Sequence, residues 1–436
     1  MPAPGRMAYG CRVSGKAGGQ EFVSAPGGGV RGCKQGAARP LARLREDMAE
    51  ARRMAWGNWI RSAIRDLARA PEAQIPYLDG LRSLAILLVV NGHMSARFED
   101  AYGSNRYAHF LLVRNGWIGV DLFFILSGFF IGGQLWKEIR RTGQICVGRF
   151  ILRRGFRIWP LYFFTFLVVF FYFLCAGYGL TTRQFGWTDV VFLTNYVNHG
   201  IVMGSWSLCT EEQFYIVVPV ALYLLAGRIH HLRDCRKWLW AALLTVPVLR
   251  GVLWVAETGH FFVHSPAAFA TLYYPSITHC DGLIMGLLIA NYWAASDKPG
   301  SRFASPWLLA AYSLGIAAVL YAAQGGVFGF FALALLFGSL AWLGLQRELK
   351  VFNGKIFYWI SRLSFGMYLN HEYMCPVVAR WIGALSHHAP FLLANPIVGN
   401  LAAVALVVVM SGAVSFVTFC LLEHPFLQMR KVYMGH

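Results

Sequence analysis

The chain contains ten apolar segments that are each long enough to cross a bilayer as a helix, and this feature constrains its fold most. A membrane interior offers no hydrogen-bond partners, so only helices and closed barrels span it, and continuous apolar segments favour helices. We therefore predict an all-α, polytopic membrane helix bundle with about ten transmembrane helices. The segments are residues 80–97, 116–136, 158–177, 206–226, 238–256, 277–294, 305–323, 327–345, 358–382 and 396–422.

The loops between these segments differ strongly in basic residues. With the N-terminus placed in the cytoplasm, the inner loops and the C-terminal tail hold 18 Lys and Arg, whereas the outer loops hold 3. Basic residues accumulate in the cytoplasmic loops of membrane proteins. The asymmetry predicts that both termini are cytoplasmic. Basic loops beside the lipid bilayer also explain the net charge of +18, so a nucleic-acid partner is not needed to explain it.

A polar region precedes the apolar segments. Residues 1–75 are rich in Gly, Ala and Arg, and we predict a partly disordered leader there. Within it, residues 43–69 have the pattern of a basic amphipathic helix on the inner membrane surface, although a leader without function fits equally well. We expect the membrane domain to occupy residues 76–428 and a short cytoplasmic tail to occupy 429–436.

The first apolar segment carries ionisable residues that a lipid-facing helix would exclude. Arg82 and His93 are eleven positions apart, so they project from one helix face, roughly 16 Å apart along the axis. Charged groups inside a bilayer are costly and usually face a bundle interior. The structural alternatives are that Arg82 extends to the lipid headgroups and that His93 is packed in the bundle without a catalytic role. We interpret both residues as candidate catalytic groups, with Asp79 nearby as a substrate-binding or structural residue.

A basic inner loop precedes the third apolar segment. On a helix, Arg149 and Arg153 converge at i,i+4, and Arg154 and Arg157 converge at i,i+3. One guanidinium group binds phosphate oxygens through two parallel hydrogen bonds. We therefore expect Arg153, Arg154 and Arg157 to hold a phosphate-bearing ligand. Positive-inside topology and anionic lipid headgroups explain the charge equally well.

The fourth apolar segment begins with two adjacent carboxylates, Glu211 and Glu212, at what the topology predicts to be its outer mouth. Glu211 shares a helix face with Tyr215 at i,i+4. A carboxylate in this position can orient a histidine or bind a hydroxyl group. The alternative is an acidic residue without a catalytic role, in the belt of aromatic side chains at the membrane interface. We interpret Glu211 as a third candidate catalytic residue and Tyr215 as its neighbour.

Polar residues recur in the other apolar segments and predict a water-accessible interior. Glycines at Gly128, Gly132 and Gly133 allow close helix packing. The nine cysteines include no CxxC pair, and we predict no metal site. We interpret four further residues as substrate-binding or structural: Asp121, Ser127, Asp281 and His371.

Taken in order, these landmarks resemble acyltransferase family 3, integral-membrane enzymes that acylate sugars and other hydroxyl-bearing acceptors. The likeness covers residues 77–428. One departure is His279, which stands where family members often have arginine. The matching motifs are Arg-x10-His at Arg82 and His93, Ser-Gly-Phe at 127–129, Arg-x-x-Arg at Arg154 and Arg157, Trp-Ser-Leu-x-x-Glu-x-x-Phe-Tyr at 206–215, Asp-Gly-Leu at 281–283, Tyr-Leu-x-His at 368–371 and Glu-x-Pro-Phe at 423–426.

The resemblance implies an O-acyltransferase of the bacterial inner membrane. Its expected donor is acyl-CoA, most simply acetyl-CoA, which would dock at the inner arginines as a substrate and not as a tightly bound cofactor. Its expected acceptor is a hydroxyl of a carbohydrate or lipid-linked glycan, approaching near Glu211. His93 would act as a general base, and direct transfer and an acyl-histidine intermediate both fit the residues. A transporter or exporter of a small polar or glycolipid substrate is the alternative, since it also needs buried charge and a cavity.

Overall fold

The computed structural model describes residues 56–69, 75–103, 110, 113, 115–178, 186–197, 200–229, 231–260, 271–295, 327–346, 352 and 354–434. These residues form helices and irregular connections without a strand, which confirms the all-α prediction for the described part of the chain. The predicted span at 305–323 and the leader before residue 56 lie outside the described residues. The α-helices are α1 (Trp56–Ala68), α2 (Pro76–Tyr102), α3 (Ile118–Thr142), α4 (Val147–Cys175), α5 (Thr194–Val197), α6 (Ser205–Leu225), α7 (Cys235–Thr258), α8 (Asp281–Ala294), α9 (Gly329–Gln346), α10 (Lys355–Ser386), α11 (Phe391–Ala394), α12 (Pro396–Thr418) and α13 (His424–Met434).

Six helical segments are long and apolar enough to cross a membrane, so the chain is an integral membrane protein. They are α3, α4, α6, α9, Leu232–Thr258 with α7, and Pro396–Lys431 with α12 and α13. Helices α2 and α10 have 27 and 32 residues, but polar and charged side chains interrupt their apolar character. Helix α8 has 14 residues and begins at Asp281, four residues later than the predicted segment.

Helices α3 and α8 pack with their backbones in close contact. A side chain at Gly128 would collide with the carbonyl oxygen of Leu283, and one at Gly286 would collide with that of Ile125. Gly132 lies against Ala290 in the same interface. Small residues at such positions are what allow membrane helices to approach each other. This close contact fixes α3, which carries part of the site described below.

Helix α2 is held along its length by α10 and α12. Near its start, the Ser83 hydroxyl donates a hydrogen bond to the carbonyl oxygen of Phe357. Near its end, Ser95 Oγ donates to Asn400 Oδ1 over 3.0 Å. Interhelical hydrogen bonds between small polar side chains stabilise helix pairs in apolar surroundings. The two helices with the most ionisable residues, α2 and α10, are thereby fixed side by side.

Helix α1 packs against the C-terminal part of the chain. Leu67 is fully buried against Phe419, which lies in a π-helical turn, Phe419–Glu423, that joins α12 to α13. The Asp66 carboxylate contacts Lys431 Nζ at 3.3 Å. Partial burial raises the pKa of the Asp66 carboxyl, but the charge and hydrogen bond of Lys431, the hydrogen bond from Gln428 and the nearby His424 together lower it below its ordinary value. Ile60 on the same helix remains exposed.

Candidate active site

A polar cavity of about 230 Å³ lies between α2, α3, α4, α6 and α10. Four arginines and two carboxylates line it, so the cavity carries an excess of positive charge. Its polar and charged lining consists of Asp79, Arg82, Ser127, Gln134, Arg154, Arg157, Glu211, Tyr215, Tyr358, Ser361 and Arg362. The structure thus brings together residues that are far apart in the sequence and that we predicted separately as catalytic or ligand-binding.

Several guanidinium nitrogens in this cavity have no hydrogen-bond partner among the described residues. They are buried, and they belong to Arg82 (Nε), Arg154 (Nε and Nη2) and Arg362 (Nε). A buried donor without a partner is costly, and proteins rarely retain one without a ligand or another compensating group. Phosphate oxygens accept such hydrogen bonds with high strength. The cavity is therefore suited to an anionic ligand.

The carboxylate of Glu211 is tied into the wall of the same cavity. Ser127 Oγ donates to Glu211 Oε1 over 2.7 Å, and the Tyr215 hydroxyl donates to Oε2 over 2.6 Å. The sequence placed this acid at an outer mouth, apart from the basic loop. The structure instead places it beside Arg154, whose guanidinium lies 5.8 Å from the Tyr215 ring centre. The reason is that Glu211 lies in the second turn of α6, inside the bundle, where the long arginine side chains of α4 reach it.

A second cavity of about 60 Å³ shares Arg82, Ser127 and Glu211 with the first. It extends to Ser207 and Tyr368, whose hydroxyl oxygens lie 2.6 Å apart. Polar side chains therefore continue from the arginines toward the middle of α10. This continuation ends at Tyr368, which lies one helical turn before His371 and Glu372 on α10.

His93 lies outside both cavities and contacts a pair of residues on α10. Its Nδ1 atom is 2.8 Å from His371 Nε2 and 3.2 Å from Glu372 Oε1. The two imidazole rings are parallel, with their centres 5.1 Å apart. The sequence placed His93 deep in its segment, but 44% of its side chain is exposed. Arg82 and His93 thus share a helix face, as predicted, yet only Arg82 lines the cavity.

The hydrogen bonds around His371 determine where the protons of the histidine pair lie. His371 Nδ1 faces the carbonyl oxygens of Tyr368 and Met367, at 2.7 and 3.2 Å. A carbonyl only accepts, so Nδ1 carries the proton and Nε2 presents a lone pair. The Nδ1–H group of His93 then donates to His371, and we assign the lone pair of His93 to its own Nε2. The pair thus fixes His93 in the tautomer that a general base at Nε2 requires.

Gly204 lies between the second cavity and this histidine pair. The Tyr368 hydroxyl donates to the Gly204 carbonyl over 3.2 Å, and the Tyr368 ring centre is 5.7 Å from that of His371. A Cβ atom built on Gly204 would lie 3.7 Å from Glu372 Oε2. The lack of a side chain at this position therefore leaves room beside both Tyr368 and Glu372.

Two predicted residues have their partners within the protein and do not line the two cavities. The buried carboxylate of Asp121 lies 2.9 Å from His279 Nε2, and the ring of His279 also contacts the Tyr273 carbonyl at 2.7 Å. Asp281 accepts two hydrogen bonds from the buried guanidinium of Arg250, at 2.9 and 3.1 Å. These contacts explain Asp121 and Asp281 as structural residues, and His279 as the partner of Asp121.

Arg153 also lies apart from the cavity. Its Nη2 atom is 3.7 Å from Glu138 Oε2, and its Nε donates to the Arg149 carbonyl over 3.4 Å. Consecutive residues of a helix point about 100° apart. Arg154 and Arg157 therefore face the cavity while Arg153 faces α3, so grouping the three arginines in one binding site does not match the structure.

Two charged residues of the site were not predicted from the sequence. Arg362 lines the arginine cavity, and Glu372 completes the cluster around His93. Both interrupt the apolar segment at 358–382. The rule that singled out Arg82, namely a charged residue inside an apolar segment, would have found them. The other predicted residues, Asp79, Ser127 and Tyr215, all line the cavity, and Asp79 accepts a 2.7 Å hydrogen bond from Ser361.

The structure is thus a helical membrane bundle with an arginine-rich cavity, and a histidine pair lies on two of the helices that line this cavity. Ionisable groups gathered inside a membrane bundle define a membrane protein with an internal functional site. The comparison with known families identifies its class. The model of the acyltransferase domain known as acyltransferase family 3 matches residues 75–420, and the chain belongs to this family.

Curated relatives that are named as O-acetyltransferases match parts of the chain. The peptidoglycan O-acetyltransferase OatA of Listeria monocytogenes is 23% identical over 333 residues, covering 68% of this chain and 49% of the relative. The O-acetyltransferase OatA of Staphylococcus aureus is 25% identical over 233 residues, covering 50% of this chain and 35% of the relative. A putative O-acetyltransferase of S. aureus strain COL is 26% identical over the same length. The chain thus spans about half the length, or less, of these relatives, and no solved structure matches it.

Proposed function

We propose that this chain is a membrane-embedded O-acetyltransferase that moves an acetyl group from acetyl-CoA to a hydroxyl of a cell-envelope carbohydrate. Family membership supports acyl transfer, and the names of the relatives support acetyl as the group and a polysaccharide of the cell wall as the acceptor class. The proposed setting is the bacterial inner membrane, with about ten spans and both termini in the cytoplasm.

The proposed donor site is the arginine cavity. Acyl-CoA carries phosphates at one end and a thioester at the other, with a long flexible arm between them. The nitrogens of Arg82, Arg154 and Arg362 that lack a partner would donate hydrogen bonds to the phosphate oxygens. The arm would then extend past Tyr368 and Gly204 toward His93, along the polar residues that join the two cavities.

The observation that carries the proposal is the 2.8 Å contact between His93 and His371. Because His371 holds a proton on Nδ1, the Nε2 of His93 is free to take the proton of an acceptor hydroxyl. The acceptor oxygen attacks the thioester carbonyl, the carbon–sulfur bond breaks, and the proton on Nε2 passes to the departing thiolate. The side-chain exposure of His93 suits an acceptor that arrives from outside the bundle.

The proposed orientation can be tested separately. Short epitope tags inserted at 178–205 and at 383–395 should react with antibody in intact cells. Tags at 137–157 and 227–237 should react only after permeabilisation, because those segments hold 11 of the basic residues that define the inner side. Labelling of 227–237 in intact cells would overturn the orientation.

The test of the activity uses the purified chain in proteoliposomes, with acetyl-CoA labelled in the acetyl group and a soluble glycan fragment as the acceptor. Acetylated glycan and free CoA should form together in equal amounts. A transporter would move the glycan across the membrane without forming either product. Enzyme incubated with labelled donor alone separates the two routes, since stable label on His93 indicates an acyl-histidine intermediate and unlabelled enzyme indicates direct transfer, which we favour.

A further inference from the structure

The cluster at His93 has the donor set of a metal site, which the sequence spacing did not indicate. His93, His371 and Glu372 each offer one ligand atom, and these three atoms lie within 4.8 Å of one another. Two imidazole nitrogens with one carboxylate oxygen suit Zn²⁺ and related transition metals, whereas Mg²⁺ and Ca²⁺ prefer oxygen ligands. We propose that these three side chains form an inhibitory binding site for Zn²⁺, a deduction whose inhibitory part rests on the proposed function.

Zinc binding requires a modest rearrangement of the cluster. A tetrahedral zinc ion with bonds of about 2.0–2.1 Å keeps its ligand atoms roughly 3.3 Å apart. In the structure, His93 Nδ1 lies 2.8 Å from His371 Nε2 and 3.2 Å from Glu372 Oε1, and no two of the three ligand atoms are more than 4.8 Å apart. The two histidines must therefore separate slightly, while the Glu372 carboxylate moves toward His371. The His93 side chain is 44% exposed and that of Glu372 is 25% exposed, so both can adjust and an ion in solvent can reach them.

His371 is already oriented as a metal ligand. Its Nδ1 donates to the carbonyl oxygen of Tyr368 over 2.7 Å, and its ring is buried. Metal-binding histidines usually donate their second nitrogen in this way, which fixes the ring and leaves the other nitrogen as the ligand. With three protein ligands, the ion keeps a fourth position for water, as in open zinc sites.

Metal binding would remove the base from the proposed reaction. Zinc takes the lone pair of Nδ1 of His93, so the imidazole proton must move from Nδ1 to Nε2 through solvent. Nε2 then donates instead of accepting, and the acceptor hydroxyl loses its base. The change needs no oxidant, and removing the metal reverses it.

Zinc binding can be measured without any assay of acyl transfer. Titration calorimetry with ZnCl₂ on the purified full chain in nanodiscs should give one ion per chain. We expect His93→Ala, His371→Ala and Glu372→Gln to weaken binding at least about tenfold, since even outer partners of metal ligands contribute that much. The double change His387→Ala with His388→Ala, at the exposed end of α10, should leave the affinity unchanged.

Glu372→Gln keeps the size of the side chain, so it separates loss of a ligand from loss of the fold, and an unchanged elution volume on size exclusion verifies this. Equal zinc affinity in the wild type and in all three variants would overturn the site. With labelled acetyl-CoA, Zn²⁺ should stop turnover reversibly on chelation, Mg²⁺ should not, and Glu372→Gln should require at least about tenfold more Zn²⁺.

Zinc that stimulates turnover, or that inhibits the wild type and Glu372→Gln at equal concentrations, would overturn the inhibitory role. If zinc binds as expected but no acetyl transfer occurs in the absence of zinc, the proposed function fails and the metal site stands. The two failures are therefore distinguishable.

Discussion

The Ser127 hydroxyl on α3 donates a 2.7 Å hydrogen bond to Glu211 on α6. This contact holds a carboxylate in the wall of a cavity that contains four arginines. Tyr215 donates to the second oxygen of the same carboxylate, so both oxygens are fixed. Glu211 is thereby a fixed negative charge inside the cavity, and it would not itself attract the anionic donor that we propose.

Replacing Glu211 by glutamine should therefore affect turnover and donor binding differently. Glutamine keeps one acceptor oxygen but carries no charge, so one of the two charge-assisted hydrogen bonds is lost and the other is weakened. A loss of about 1.5–3 kcal/mol should lower the rate of acetyl transfer at least about tenfold. Removing a negative charge from the cavity should leave acetyl-CoA affinity unchanged or make it tighter. Steady-state kinetics with calorimetric binding of CoA measures both, with Glu257→Gln on the exposed end of α7 as the control. Weaker CoA binding in Glu211→Gln would contradict this assignment.

Adjacent arginines on α4 offer a matched test of the donor site. Arg154→Ala removes a cavity residue, whereas Arg153→Ala removes a residue that contacts Glu138 instead. Loss of a phosphate contact worth about 1.5–3 kcal/mol should raise the dissociation constant of CoA at least about tenfold for Arg154→Ala. Arg157→Ala should behave similarly, and Arg153→Ala should bind CoA as the wild type does. The interpretation fails if the variants at 153 and 154 lose CoA affinity equally.

The contact between α3 and α8 predicts opposite outcomes for two glycines five residues apart. A methyl group at Gly128 would meet the backbone of Leu283, which is unable to move aside, whereas a methyl group at Gly133 would meet open space. Gly128→Ala should cost about 1–3 kcal/mol of stability through overpacking. Gly133→Ala should be neutral or slightly stabilising, because alanine favours the helix. Thermal unfolding of both variants in detergent tests this, and equal melting temperatures would contradict the described packing.

Much of the site could be predicted from charged residues inside apolar segments. Arg82 and Glu211 were identified this way, and both line one cavity. Arg154, which lines the same cavity, was predicted instead from the paired arginines of the basic inner loop. The rule of charged residues in apolar segments also selected Asp121 and Asp281, which the structure pairs with His279 and Arg250. A buried charge is costly and needs a partner, which is either a substrate or another residue of the protein. A charged residue in an apolar segment therefore indicates that a partner exists, but it does not identify that partner.

The mutual placement of the site residues could not be predicted, because it depends on long-range packing. His93 and His371 are 278 positions apart and meet only because α2 packs on α10. The direction in which each side of a helix faces also depends on long-range packing. Arg153 and Arg154 are equivalent in charge and spacing, and only the position of α4 against its neighbours determines which of them enters the cavity.

If Nε2 of His93 is the base for acetyl transfer, replacing His93 by alanine should remove most of the turnover. Purified wild type, His93→Ala and the exposed control His388→Ala should be compared in proteoliposomes for transfer of labelled acetyl from acetyl-CoA to a glycan acceptor. We expect His93→Ala to lose about a hundredfold to ten-thousandfold in rate, as removal of a general base does, while binding CoA with unchanged affinity. Near-normal turnover by His93→Ala would show that His93 is not the base, and His371 would be the next candidate.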